Sequence, residues 1–291
     1  MPNVPRNSGR VVNSTTRDSS LKAVYYGIGL ANIGSYSDPR LSLRVAQAAE
    51  AGGWDGIFVW DHLAFTWGAP AADPWTVLAA IAATTERLKL GTAVTPLARR
   101  RPQVLANQVA TLDVLSSGRV ILGAGLGGSP SEFGKFGEPV DAGVRAAMLD
   151  EGLDVVRRLW SGEQVDHRGA HYTVEGVTLA PTPVQGLLPV WIGGNRAASR
   201  RRAARWQGWI PDSSYPPGTG TSPEDVRRGL TEIRELRGAG GESFDVAVLG
   251  QRDVSVPAAF EQAGATWWLE NVHDGRGTPE EMLTLVAAGP A

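Results

Sequence analysis

The chain has 291 residues, of which 42% are hydrophobic and 20% charged, with a formal net charge of −2. That balance points away from nucleic acid or a membrane as the main partner, and no run reaches the ~18 apolar residues of a membrane span. There is no cysteine, which excludes disulfides, thiolate nucleophiles and cysteine metal sites, and the four histidines show no HExxH spacing.

Residues 1–20 are polar and carry too little apolar surface to order themselves. A disordered tail is expected there, and residues 21–291 are expected to form one domain. Residues 1–20 lack the apolar core of a secretory signal, and a cytoplasmic protein is expected. The first strand is predicted over Val24–Leu30. Asp38-Pro39 starts a helix, with an N-cap acid and a proline in the first turn, and Gly52-Gly53 ends it. Ile57–Trp60 reads as a strand buried on both faces. Asp73-Pro74 repeats the helix start. A strand over Leu88–Val94 follows, then a helix from Pro102. The fourth strand, Val120–Ala124, runs into the glycine-rich GLGG, and a long helix covers Val144–Trp160. The irregular stretch Val165–Gln185 has room for a hairpin. Strands at Val190–Ile192, Trp209-Ile210, Phe244–Leu249 and Thr266–Leu269 alternate with four more helices. Eight strand–helix units predict an α/β fold, a (β/α)8 barrel. The competing open doubly wound sheet lacks its GxGxxG after the first strand.

In a barrel the chemistry sits at the carboxyl ends of the strands. Strand two ends in Asp61-His62. A histidine there suits proton transfer, and the aspartate can orient it. The competing reading is a loop-capping aspartate beside a half-buried histidine. Strand three ends in Ala93, Val94 and Thr95, small enough for a flat ligand to approach the backbone. Arg99-Arg100-Arg101 follow and could reach a phosphate, but at least two of them are expected to be solvated. Glycine turns after strands four and five, through Gly125, Gly127 and Gly128 and through Gly193, Gly194 and Asn195, offer N–H groups to a phosphate.

These segments resemble the bacterial luciferase-like monooxygenases, whose members use FMN or the deazaflavin coenzyme F-420. The resemblance rests on WDH after strand two, on LKLGTAVTPLARRRPQVLANQVATLDVLSSGRVILGAGLGG, on EGLDVVRRLWSGE and on LPVWIGGNRAASRRRAARWQGWIP. It implies a (β/α)8 barrel with an insertion before strand five and a non-proline cis peptide at Ala93–Val94 behind a flavin-type ring. It implies a cofactor phosphate at Gly193 and Gly194, and His62 as the proton-transfer residue on the substrate side. The implied function is oxidoreduction of a small organic molecule, by hydride transfer with F-420, which is favoured, or by oxygen insertion with reduced FMN. A non-catalytic flavin-binding barrel is the alternative. Relatives are commonly dimers, which leaves a homodimer open. The sugar-phosphate dehydrogenase branch carries a glutamate just after the first glycine turn, where this chain has Gly128-Ser129, which argues against that activity.

Overall fold

A computed structural model describes residues 24–63, 68–211, 220–238, 243–253 and 255–290. The expected tail lies outside the described residues. In chain order the first half contains β1 (Tyr25–Leu30), α1 (Pro39–Ala51), β2 (Gly56–Val59), α2 (Pro74–Thr84), β3 (Lys89–Thr92), β4 (Thr95–Pro96), α3 (Pro102–Leu115) and β5 (Val120–Gly125). The second half contains α4 (Pro130–Gly134), α5 (Ala142–Leu159), β6 (Val165–Arg168), β7 (Thr173–Val177), β8 (Val190–Gly193), α6 (Ala197–Ala203), β9 (Gly208–Ile210), α7 (Pro223–Arg237), β10 (Asp245–Gly250), α8 (Pro257–Gln262), β11 (Trp267–Val272) and α9 (Pro279–Ala287).

The strands run β3-β2-β1-β11-β10-β9-β8-β5, and β5 pairs back onto β3. Every one of these pairings is parallel, so eight strands close the expected barrel. Two details differ from the sequence reading. Strand three is not continuous to Val94. It breaks at a cis Ala93–Val94 peptide, at the bond the resemblance implied, and resumes as β4 against the end of β5. The short helix α4 was not expected, although Ser129-Pro130 repeats the proline start of its neighbours.

Local chemistry sets the helix starts. Asp38, Asp73 and Asp141 accept the backbone N–H groups of Arg40, Thr76 and Val144, while Ser222 and Thr278 form full capping boxes. Each such cap is worth about 1 kcal/mol. Inside the barrel, alternate residues of the strands meet in a cluster of Phe58, Ile121, Trp191, Ile210, Ala247, Trp267 and Leu269. Phe58 stacks on Trp191 with ring centroids 5.1 Å apart, and Trp191 meets Trp267 edge-on at 5.5 Å. These tryptophans fill the core rather than a ligand site.

Long-range polar ties hold the helical shell. Trp54 donates its indole N–H to the Val286 carbonyl at 2.8 Å, joining the first helix to the last. Arg119 is buried and donates to the carbonyls of Ala82, Thr85, Leu88 and Ser116 and to the Thr85 hydroxyl. It closes the end of α2, where unpaired carbonyls favour a cation. The insertion before β8 is the antiparallel hairpin β6–β7. Glu151 on α5 pins it, accepting the N–H groups of His171 and Tyr172 at 3.0 and 2.8 Å and lying 3.0 Å from the His167 ring.

Candidate active site

The carboxyl ends of β2, β3, β4, β5 and β8 bring most of the expected residues to one mouth. Asp61 and His62 leave β2 side by side, but they take different partners. Asp61 is closed in a bidentate pair with Arg100, at 2.8 and 2.7 Å, and its side chain is 1% exposed. With both oxygens engaged by Arg100, it anchors the strand end beside His62.

His62 has a 22% exposed side chain. Its Nδ1 lies 2.9 Å from Glu132 Oε2. The other Glu132 oxygen accepts the Leu63 N–H at 2.7 Å and sits 2.7 Å from Arg99 Nη1. Glu132 rides on α4, whose position is fixed by Phe133. That ring lies under the guanidiniums of Arg99 and Arg145, at 4.8 and 4.4 Å, a cation–π arrangement. It also occupies the space that a Cβ at Gly127 would need, since the two would be 2.7 Å apart. Arg145 in turn donates to the carbonyls of Leu126 and Gly127. Nearby, burial pushes the Glu138 carboxyl up; Arg99 pulls it down and Glu132 adds to the rise.

Two of the three expected arginines are therefore internal. Arg99 and Arg100 neutralise Glu132 and Asp61, and Arg101 is the exposed one. Glu132 and Arg99 were missed as a unit. The signal present was the Ser129-Pro130 helix start with an acid in its first turn.

The glycines serve more than one purpose. A Cβ at Gly125 or Gly193 would come within 2.6 or 2.9 Å of the Val94 side chain. Both are glycine to make room for Val94, which sits half-buried across the ends of β5 and β8. Thr95 is buried and donates its hydroxyl to Thr92, whose own hydroxyl bonds the Gly123 carbonyl. The Gly194 N–H donates to the Ile210 carbonyl at 2.9 Å. That one N–H group is taken up by the sheet. Gly194 itself adopts φ +111°, a conformation glycine tolerates best. Gly128 is exposed and open, with nothing within 4 Å of a Cβ placed there.

Ala93 and Val94 thus form a half-buried apolar shelf at the mouth, with His62 to one side and the Gly193-Gly194-Asn195 turn to the other. Asn271 shares the inward face of β11 with Trp267 and Leu269. Its Oδ1 is buried with no hydrogen-bond partner among the described residues.

A parallel barrel with a polar mouth of this kind defines an α/β-barrel enzyme class. The chain belongs to the luciferase-like monooxygenase family, whose model matches residues 27–274. It is 39% identical over 186 residues to an F420-dependent glucose-6-phosphate dehydrogenase of Microbacterium testaceum, covering 62% of this chain and 54% of that protein. The chain spans about half the length of the curated dehydrogenases it matches. It is 28% identical to an uncharacterised protein of Mycobacterium bovis over 77% of this chain and 82% of that one. Among solved structures, monooxygenase RslO1 from Streptomyces bottropensis superposes with a TM-score of 0.76 at 23% identity, over 90% of this chain and 96% of that one. An F420-dependent secondary alcohol dehydrogenase, in complex with an F420-acetone adduct, gives 0.74 at 20% identity, over 85% and 93%. These structures share the barrel. No helix among the described residues is long and apolar enough to cross a membrane.

Proposed function

We propose that the protein is a flavin- or deazaflavin-dependent oxidoreductase acting on a small organic molecule, with coenzyme F-420 favoured over FMN. The observation that carries this is the apolar Ala93–Val94 shelf beside His62. A planar ring fits it. The orphaned Asn271 acceptor supports the fit, because the pyrimidine edge of either cofactor offers an N–H. The F420-dependent relatives support the preference for F-420.

When bound, the cofactor supplies the redox chemistry, hydride transfer for a deazaflavin or oxygen activation for a reduced flavin. The chain supplies the rest. Ala93 and Val94 back the ring, and Thr95 steadies the end of the shelf through Thr92. Gly125 and Gly127 shape the wall, exposed Gly128 leaves an approach, and the turn at Gly193, Gly194 and Asn195 takes the phosphate end. His62 moves the proton, and Asp61 fixes the strand end that carries it. The glucose 6-phosphate of the curated relatives is not carried over, since Gly128 stands after the glycine turn. A cytoplasmic homodimer belongs to the same proposal.

Titrating the purified protein with F-420 and, separately, with FMN tests this by fluorescence. Micromolar or tighter binding to F-420 is expected. Binding to neither cofactor overturns the reading. Binding without turnover of any alcohol, aldehyde or ketone panel favours a non-catalytic barrel.

A further inference from the structure

We propose that Glu132, held by Arg99, is a positioning residue that fixes His62 in the Nδ1–H tautomer, so that Nε2 is the proton-accepting atom of the site. The inference rests on the reading of His62 as the proton-transfer residue, and it adds what decides which nitrogen acts.

The argument is one of donors and acceptors. Glu132 Oε1 takes the Leu63 N–H at 2.7 Å and faces Arg99 Nη1 at 2.7 Å. A donor and a fixed cation on the same oxygen hold the carboxyl ionised. The Glu132 side chain is 1% exposed, so bulk water does not screen these contacts. An ionised carboxylate only accepts hydrogen bonds. Its Oε2 lies 2.9 Å from His62 Nδ1, so Nδ1 must be the donor. In a neutral imidazole the lone pair then belongs to Nε2. When Nε2 takes a proton, Nδ1 keeps its own. The new imidazolium then faces the Glu132 carboxylate across 2.9 Å, with the Nδ1–H bond kept. Arg99 contributes by orienting Glu132 and keeping it charged.

Glu132→Gln turns this into a sharp test. The Leu63 N–H and Arg99 are both donors, so the amide oxygen must take the Oε1 position. The amide NH2 is then directed at His62 Nδ1, which becomes an acceptor, and the proton moves to Nε2. One substitution of nearly the same shape inverts the tautomer.

The readout is the long-range 1H–15N correlation spectrum of 15N-histidine-labelled protein at pH 8.5, with His62 identified by its disappearance in His62→Gln. The expected result is an Nδ1–H, Nε2-unprotonated His62 in the unchanged protein and the reverse in Glu132→Gln. Turnover in Glu132→Gln should fall by about 10²–10⁴, in kcat rather than in cofactor affinity, as expected of a base presented in the wrong tautomer. An Nε2–H His62 in the unchanged protein overturns the proposal, as does an unaltered tautomer in the variant. If Glu132→Gln does not fold, the spectrum of the unchanged protein decides alone. The spectrum needs no cofactor, so failure of cofactor binding would remove the proposed function and leave this test standing.

Discussion

The two ends of the barrel handle buried carboxyl groups in opposite ways. At the mouth, Asp61 and Glu132 are each matched to an arginine within 2.8 Å. At the floor, Asp245 opens β10 among neutral partners. It accepts the Trp191 indole N–H at 3.3 Å and the Thr266 hydroxyl at 3.1 Å. Burial pushes its carboxyl above the usual range, and bonds from Thr266, Trp191 and Trp267 pull it back only in part. The mouth pairs its acids with arginines and holds them in fixed orientations. The floor gives its acid only neutral partners, and burial raises its carboxyl above the ordinary range. The same residue type therefore signals function at one end and packing at the other.

The comparison can be broken first at His62. His62→Ala is expected to lower turnover by about 10²–10⁴ while leaving cofactor affinity nearly unchanged, as expected of a proton-transfer residue. Equal losses in affinity would place His62 in binding instead. Next, Arg100→Met leaves the Asp61 carboxylate buried and unpaired. A destabilisation of about 3–5 kcal/mol is expected in urea unfolding, because an uncompensated buried charge is costly. A loss under 1 kcal/mol would make the mouth no more demanding than the floor.

Asp245→Asn sharpens the contrast through pH. A carboxyl raised in the folded state contributes stability below its ordinary value of 3.8, and that contribution is lost as pH rises through the raised value. The melting temperature of the asparagine variant should therefore gain on the unchanged protein between about pH 4 and pH 7. A constant difference would deny the raised carboxyl.

The smallest effect is expected at Glu50, where α1 ends. Burial pushes its carboxyl up, but the N–H groups of Arg87, Glu86 and Leu88 outweigh that and hold it below its ordinary 4.5. Its contribution is present above that value and lost as pH falls through the lowered one. Glu50→Gln should flatten the acid side of the melting curve, read between about pH 6 and pH 3.

Much of the fold was legible because its signals are local. The Asp-Pro starts at Asp38 and Asp73 and the buried run Ile57–Trp60 lie within a few residues of the structure they set. The mouth was legible in position only. His62 meets Glu132 across 70 residues of sequence, and Asp61 meets Arg100 across 39. No spacing rule spans such distances, so the arginines read as solvated when they are internal counter-ions. The glycines hide a partner for a related reason: the space beside Gly125 and Gly193 is filled by Val94, which lies between β3 and β4.

That valine has a consequence for how the mouth can diverge. Val94, Gly125 and Gly193 behave as one lock of three pieces: a larger residue at either glycine must be answered by a smaller one at position 94. An alanine at 193 alone should be harmful and the same alanine with Val94→Ala tolerated. Relatives that reshape this mouth for other ligands would have to change the three positions together, so the set marks where a lineage switched what it holds.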